Sequence, residues 1–346
     1  MVTLIKFNFL ILIFMKKFLV LFLSIFLLLS CSEKVEENIS NEEVTKQEET
    51  IEKIKVISSI VPLSSISNYI WWEYVDVENL VPSGVSPHGF DLSPKQMIEI
   101  SNSDIIISLG LDHIDWFLDK AIWDKNNLIV SNWIELIDWS EHDHHDEHEE
   151  EHHDDEHHND HDEHEEEHHD EHEDDHSKDP HIWNSPENAI LIAEKVKNEF
   201  SSFMPNKKSE FEKNYKKFEE ELNLIVSDFK ESIKEKNQAW FIVYHDAHNY
   251  LFSYLNIDTL KKIVFKSSVL DDSNTKQLKE IVDKIKEYNV KFSFKEPQFD
   301  DSNIKKLASE YGLNILVLDP LWTDISSNWY IDNLKNNLES LKYIYE

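Results

Sequence analysis

Residues 141–176 place 14 histidines and 21 carboxylates in one uninterrupted run, with Asn159 the sole other residue. No apolar side chain occurs there, so ordering the backbone, at roughly 1–2 kcal/mol per residue, has no burial to offset it. The run is excluded from any core and from any interior helix or strand. The chain must fold from the pieces on either side, with the run carried between them as a mobile loop.

The same run skews the composition. It supplies 21 of the 35 net negative charges, and the other 310 residues set 48 acidic against 34 basic side chains. Outside the run this is a moderately acidic chain, and its length and 40% hydrophobic content suffice for a large core and about two domains. Such a surface repels polyanions, so no nucleic acid partner is expected.

The beginning of the chain addresses its destination. Lys16 and Lys17 precede an apolar run at residues 18–29, about half the ~20 residues that a membrane-spanning helix needs. That is the length of a signal-peptide core. The only cysteine, Cys31, follows in "LLSC", an end similar to a bacterial lipoprotein signal, which implies cleavage before Cys31 and a lipid on its sulfur. Met15 offers a second start, because "MKKFLVLFLS" is a complete signal by itself; an uncleaved anchor made of both apolar runs is the alternative. Either way the body is exported, to the periplasm or cell surface, and held at a membrane. A lone cysteine forms no internal disulfide. Residues 32–53 are polar, charged and free of aromatics, as a flexible tether would be.

From about Ile54 short β-branched runs, "KVISSIVP", "VDVENLVP", "SDIIISLG" and "NNLIVSN", alternate with amphipathic stretches. Such alternation predicts a parallel sheet with helices on its faces. After the His-rich run, "SPENAILIAEKVKNEFSSF" has helical period and a Ser-Pro-Glu start, and a second helix is expected from about Lys207 to Lys236. A second alternating set, "AWFIVYHD", "IDTLKKIVF", "VKFSFKEP" and "NILVLDPL", completes the chain. The expected fold is α/β, two parallel-sheet lobes joined by one long rigid helix. The lobes are assigned to residues 54–205 and 238–346 and the helix to 206–237, with no convincing sequence repeat between the lobes.

Five histidines lie outside the run. His88 in "SGVSPHGFDLSP" follows a strand, His181 in "KDPHIWNSP" precedes a helix, and His245 in "FIVYHDAHNYL" ends an apolar strand. Ligands of open α/β sheets bind beyond the carboxyl ends of strands, so these three can converge in a cleft between lobes. Asp324 in "LDPLWTDISS" is a fourth candidate. Three imidazoles and a carboxylate suit a divalent transition metal. His248 forms an H-x-x-H pair with His245, for which a structural role is the simpler reading, and His113 is assigned to a loop or helix start. Asp246 and Glu296 are candidates to orient an imidazole, while Trp183 and Trp322 are read as packing that keeps the cleft dry.

In these motifs, "SPHGFDLSPKQ", "DPHIWNSPENA", "YHDAHNYL" and "DPLWTDI", taken in order, the chain resembles the metal-binding lipoproteins that deliver zinc or manganese to ABC importers. The resemblance extends from about residue 54 to the end. It implies the metal-type periplasmic-binding-protein fold, ligation by His88, His181 and His245 with Asp324 or a water as the fourth donor, and a membrane permease as partner to a monomeric, lipid-anchored receptor. The acidic, His-rich insertion before the second ligand is typical of the zinc members. His245 stands where manganese members usually carry a carboxylate, and manganese prefers oxygen donors, so Zn²⁺ is the expected transported ligand and Mn²⁺ the alternative. A metal-binding adhesin on the same scaffold, an exported zinc hydrolase and a metal buffer without a permease are rival functions. No H-E-x-x-H or comparable hydrolase motif is present, and no enzymatic activity is expected. On this reading the site closes by a small movement about the long helix, and the His-rich run gathers or senses zinc at its mouth.

Overall fold

Every run of β-branched residues around the first lobe becomes a strand in a computed structural model of the chain. The structure describes residues 53–138, 178–265, 275–320 and 328–345, less positions 72, 89, 119–120 and 122–125. The signal with Cys31, the tether, the His-rich run and the segment bearing Trp322 and Asp324 lie outside the described residues. Ile54–Ser58 (β1), Val75–Asn79 (β2), Ile105–Ser108 (β3) and Asn127–Ile129 (β4) pair in parallel in the order β2-β1-β3-β4. Register is set by apolar contacts such as Ile57 opposite Ile106 and Ile107 opposite Leu128. All of β3 is buried, as a central strand covered on both faces must be.

The second sheet is built from Phe241–Val243 (β5), Lys262–Val264 (β6), Phe292–Lys295 (β7) and Asn314–Val317 (β8), again all parallel, in the order β6-β5-β7-β8. The two sheets thus share one winding pattern although their sequences show no repeat. Topology here follows from strand-helix-strand crossovers of one hand, which many sequences satisfy.

The helices are Val61–Trp71 (α1), Pro94–Ser101 (α2), Asp112–Asp115 (α3), Pro186–Phe203 (α4), Lys208–Ile233 (α5), Asn249–Leu255 (α6), Thr275–Glu287 (α7), Ser302–Tyr311 (α8) and Trp329–Leu341 (α9). Ser93 and Gln96 cap α2 reciprocally with Pro94 in its first turn, and Gln96 Nε2 also donates to the Leu80 carbonyl at 2.6 Å. That contact ties the helix to the end of β2, on either side of the loop that carries His88. The long helix α5 has 26 residues, about 39 Å of rod. It ends at Ile233, short of the expected Lys236, where Glu235 takes a left-handed φ of 65° and turns the chain toward β5.

Phe211, Phe218, Leu222, Val226 and Phe229 form the buried stripe of α5, which packs against α1, α4 and α9. A single hydrophobic cluster extends from the first sheet through these helices to Phe241, Val243, Phe292 and Phe294 on one face of the second sheet. Ile242 and Tyr244, one residue out of phase, point to a smaller cluster beneath α7 and α8. The final helix reaches back toward the first lobe, where the Tyr330 amide donates to Ser65 Oγ at 3.1 Å and its hydroxyl to the Trp183 carbonyl at 2.7 Å. The lobes therefore share one interior. No helix among the described residues is long and apolar enough to cross a membrane.

The ends of the His-rich insertion are fastened to each other. Asp138 and Lys178 form an isolated antiparallel bridge with a 2.6 Å ion pair, and the Asp179 amide donates to the Ile137 carbonyl at 2.9 Å. Tyr250 of α6 spans both ends, its hydroxyl accepting from the Ile137 amide at 3.2 Å and donating to the Asp179 carbonyl at 2.9 Å.

Candidate metal centre

The crossover from β6 to β7 passes β5, so the second sheet has its switch point between β5 and β7, where side chains from the two strand ends face each other. His245 lies just beyond β5 and Glu296 directly follows β7. His181 enters from the first lobe, ahead of the 3₁₀ turn Ile182–Asn184 that opens α4, and His88 comes from the loop between β2 and α2. One ring nitrogen from each of His88, His181 and His245 lies within 4.8 Å of the others. Of the four sequence candidates for ligation, the structure brings these three together; Asp324 lies outside the described residues.

Two of the imidazoles are aimed by carboxylates. Asp179 Oδ1 accepts both the His181 amide, at 2.9 Å, and its ring Nδ1–H, at 2.7 Å. Glu296 Oε1 accepts the His245 amide at 3.3 Å and its Nδ1–H at 2.6 Å. With Nδ1 protonated on each ring, both Nε2 atoms carry lone pairs, and these stand 3.4 Å apart. Tetrahedral Zn–N bonds of about 2.0–2.1 Å would place two ligand nitrogens roughly 3.3–3.4 Å from each other. The pair is thus spaced for a shared cation and has no proton to share between its facing atoms.

Burial sharpens this preference. His181 is fully buried and the side chain of His245 is 13% exposed. Removal from water pushes the Asp179 carboxyl up to about 7, against the pull of the His181 amide and Asn249, and raises Glu296 against the pull of His245. Among the described residues no lysine pairs with either carboxylate, and a dication between the rings would supply the countercharge.

Sequence reasoning proposed Glu296 and Asp246 as orienting groups. Glu296 does orient His245, whereas Asp246 pairs with Lys262 of β6. Asp179, which holds His181, was missed, although it stands two residues before that histidine in "DPH". Trp183 is fully buried with its ring centroid 5.3 Å from that of His181, and its indole N–H donates to the Pro320 carbonyl at 2.6 Å. It packs against His181 at the edge of the centre. His113 falls in the short helix α3.

His248 is buried beside the centre without joining it. Its ring stacks on Phe252 with centroids 6.0 Å apart, and the polar groups that pull toward its protonated form are the Asp319 backbone and Asp246. Burial, and then the neighbouring His245 and His181, lower its pKa to about 3. The unfolded chain takes up this proton near pH 6.5, so His248 contributes stability above that pH which is lost as the pH falls toward 3. Between pH 7 and 5 the loss is about 2 kcal/mol. The raised Asp179 works in the opposite sense, favouring the folded state as pH falls from 7 toward 4. His248→Leu is therefore expected to tolerate acid better than the parent, its metal-free unfolding free energy falling by about 2 kcal/mol less between pH 7 and 5 in urea titrations.

The geometry agrees with what related proteins are named for. The model of the family described as zinc-uptake complex component A, periplasmic, matches residues 56–343. The high-affinity zinc uptake system protein ZnuA of Haemophilus ducreyi is 31% identical over 278 residues, covering 79% of this chain and 86% of that protein. The zinc-binding protein AdcA of Streptococcus pyogenes serotype M3 is 25% identical over 301 residues, 84% of this chain but 56% of AdcA, so the chain spans about half the length of that relative. Among solved structures, a zinc-bound ZnuA deletion mutant superposes with a TM-score of 0.66 at 22% identity, covering 85% of this chain and 98% of that one. With the family pattern running through nearly all of both sheets and every histidine of the centre, the chain belongs to the zinc-uptake complex component A family.

Proposed function

We propose that this protein is the extracytoplasmic receptor of a high-affinity zinc importer, which captures Zn²⁺ on His88, His181 and His245 and delivers it to an ABC permease. The observation that carries the reading is the 3.4 Å separation of the His181 and His245 Nε2 atoms, each ring pinned through Nδ1 to a buried carboxylate. Two carboxylates behind neutral imidazoles balance a dication, and three imidazoles favour zinc over manganese. Asp324 is the proposed fourth donor. A site closed by four donors leaves no position for a reacting water, which suits carriage and not catalysis. Cys31 is the proposed lipid attachment, and the His-rich run the proposed gatherer of zinc near the mouth of the centre. Because the lobes share one core, loading is expected to shift the loop of His88 more than it rotates the lobes.

The fastened ends at Asp138 and Lys178 allow residues 141–176 to be replaced by a short turn. The trimmed protein should keep one tight Zn²⁺ equivalent, lose the weak ones, and release Mn²⁺ to equimolar Zn²⁺ in a competition titration. Manganese holding the centre against zinc, or the tight equivalent departing with the run, would sink the proposal.

Glu296→Gln keeps the shape of the side chain and removes its charge. Loss of such a partner typically costs 10–100-fold in metal affinity, and that range is expected here by chelator competition. Proton release on zinc binding should fall in the same variant.

A further inference from the structure

The carboxylates that aim His181 and His245 are themselves held, each by a side-chain amide on its other oxygen. Asn249 Nδ2 donates to Asp179 Oδ2 at 3.1 Å, and Gln298 Nε2 donates to Glu296 Oε2 at 3.2 Å. The two arms differ one step further out. Gln298 Oε1 has no hydrogen-bond partner among the described residues. Asn249 Oδ1 accepts from Lys262 Nζ at 2.6 Å, and the same ammonium pairs with the buried Asp246 carboxylate.

An amide can turn over, exchanging its oxygen and nitrogen at almost no steric cost, and in the turned state Asn249 would present an oxygen to Asp179. Lys262 forbids this, because an ammonium only donates and must face the amide oxygen. The remaining Asn249 N–H reaches the Asp246 carbonyl at 3.3 Å, which also favours the observed sense. We propose that Asn249, locked by Lys262, is a positioning residue for His181, fixing the Asp179 carboxylate and with it the Nδ1–H form of the ring before any cation arrives. The proposal rests on His181 being a ligand.

Polarisation runs in one direction along this chain. The ammonium draws electron density toward the amide oxygen, which strengthens the N–H that Asn249 gives to Asp179, and cooperative strengthening of this kind is expected of linked hydrogen bonds at low dielectric. Lys262 lies on the edge strand β6 with its side chain 9% exposed, and its Nζ is 5.9 Å from the centroid of the Phe252 ring. With both oxygens of Asp179 engaged, the carboxylate cannot rotate, and the His181 lone pair keeps its direction.

The test uses Asn249→Leu in the full chain, together with the double variant Lys262→Met/Asp246→Asn, which removes both charges so that neither is left buried alone. Two quantities are read: the ¹⁵N shifts of the His181 ring in the metal-free protein, and Zn²⁺ affinity by chelator competition. At a pH well above 7, where the Asp179 carboxylate is ionised, the parent should show a single Nδ1-protonated ring. Asn249→Leu should show a mixture of ring forms and zinc binding weaker by roughly 10–100-fold. The double variant should move both quantities in the same direction by a smaller factor. A single ring form with affinity within twofold of the parent, in Asn249→Leu, overturns the proposal. Should Asn249→Leu not fold, the double variant decides on the same criterion. His181→Ala separates the two levels: parental zinc affinity in that variant removes the ligand reading itself, whereas a loss there with no change in Asn249→Leu removes only the positioning role.

Discussion

Replacing His181 with alanine should weaken Zn²⁺ binding by about 10²–10³-fold, more than any other single change to the centre. Structural zinc sites bind with roughly 10–16 kcal/mol over four ligands, which gives about 2.5–4 kcal/mol for each, and 1.4 kcal/mol is a factor of ten. His181 belongs at the upper end of that range because it is fully buried and its direction is fixed before binding, so none of its contribution is spent on ordering a mobile side chain. The metal-free protein should lose about 1–3 kcal/mol as well, since Asp179 would keep the backbone donor at position 181 but lose the ring N–H. Chelator competition reads the first effect and thermal unfolding the second. Zinc at a thousandfold excess over the parent Kd, which adds about 4 kcal/mol to the parent, should add only about 0.4–1.4 kcal/mol to the variant and raise its melting temperature correspondingly less. Affinity within threefold of the parent would show that the facing imidazoles do not hold the ion.

The largest effect on folding is expected at Gly110, which carries the chain out of β3 with φ of +74°. A Cβ added there would meet Ile129 Cγ2, on the neighbouring strand β4, at 2.2 Å. The left-handed backbone costs an L-residue about 1–2 kcal/mol and overpacking of this kind about 1–3 kcal/mol, so Gly110→Ala should destabilise by about 2–5 kcal/mol. The Gly110 amide, which donates to Asp115 Oδ2 at 2.8 Å, also restrains the backbone from moving away. Adding Ile129→Ala deletes the offending methyl and leaves Cβ at 3.4 Å, an ordinary contact. Measured by urea unfolding against Ile129→Ala alone, which carries its own truncation cost, Gly110→Ala should then cost only the backbone share. At Gly312, with φ of +71° and nothing within 4 Å of an added Cβ, alanine should cost the backbone share alone.

These two residues mark what the sequence discloses and what it hides. The strand runs, the Ser-Pro-Glu start of α4 and the long α5 are local patterns, legible because apolar period and caps act over a few residues. The histidines that end strands or begin turns are legible for the same reason, and they meet at the centre. Of the groups that hold them, the sequence offers Glu296 as a candidate without saying which ring it meets, and it gives no sign of Asp179 or Asn249. His245 finds Glu296 across 51 positions and Asp179 finds Asn249 across 70, separations over which spacing carries no information. Asp246, adjacent to a candidate ligand in sequence, turns instead to Lys262, which reads as an ordinary strand residue until β6 is laid beside β5. The return of α9 to Ser65 is hidden in the same way, since an amphipathic helix does not state which surface it will cover.

The clasp of Asp138 with Lys178, reinforced by Tyr250, has an evolutionary consequence. Chain inserted between two ends already joined adds only about 0.6 kcal/mol of closure entropy per doubling of its length. Descendants could therefore gain or shed histidines there without shifting the register of Asp179 and His181 that follow. On the proposed function, how many ions the protein can hold in reserve and which ion it finally selects would be under separate genetic control, each free to adapt to metal supply without compromising the other.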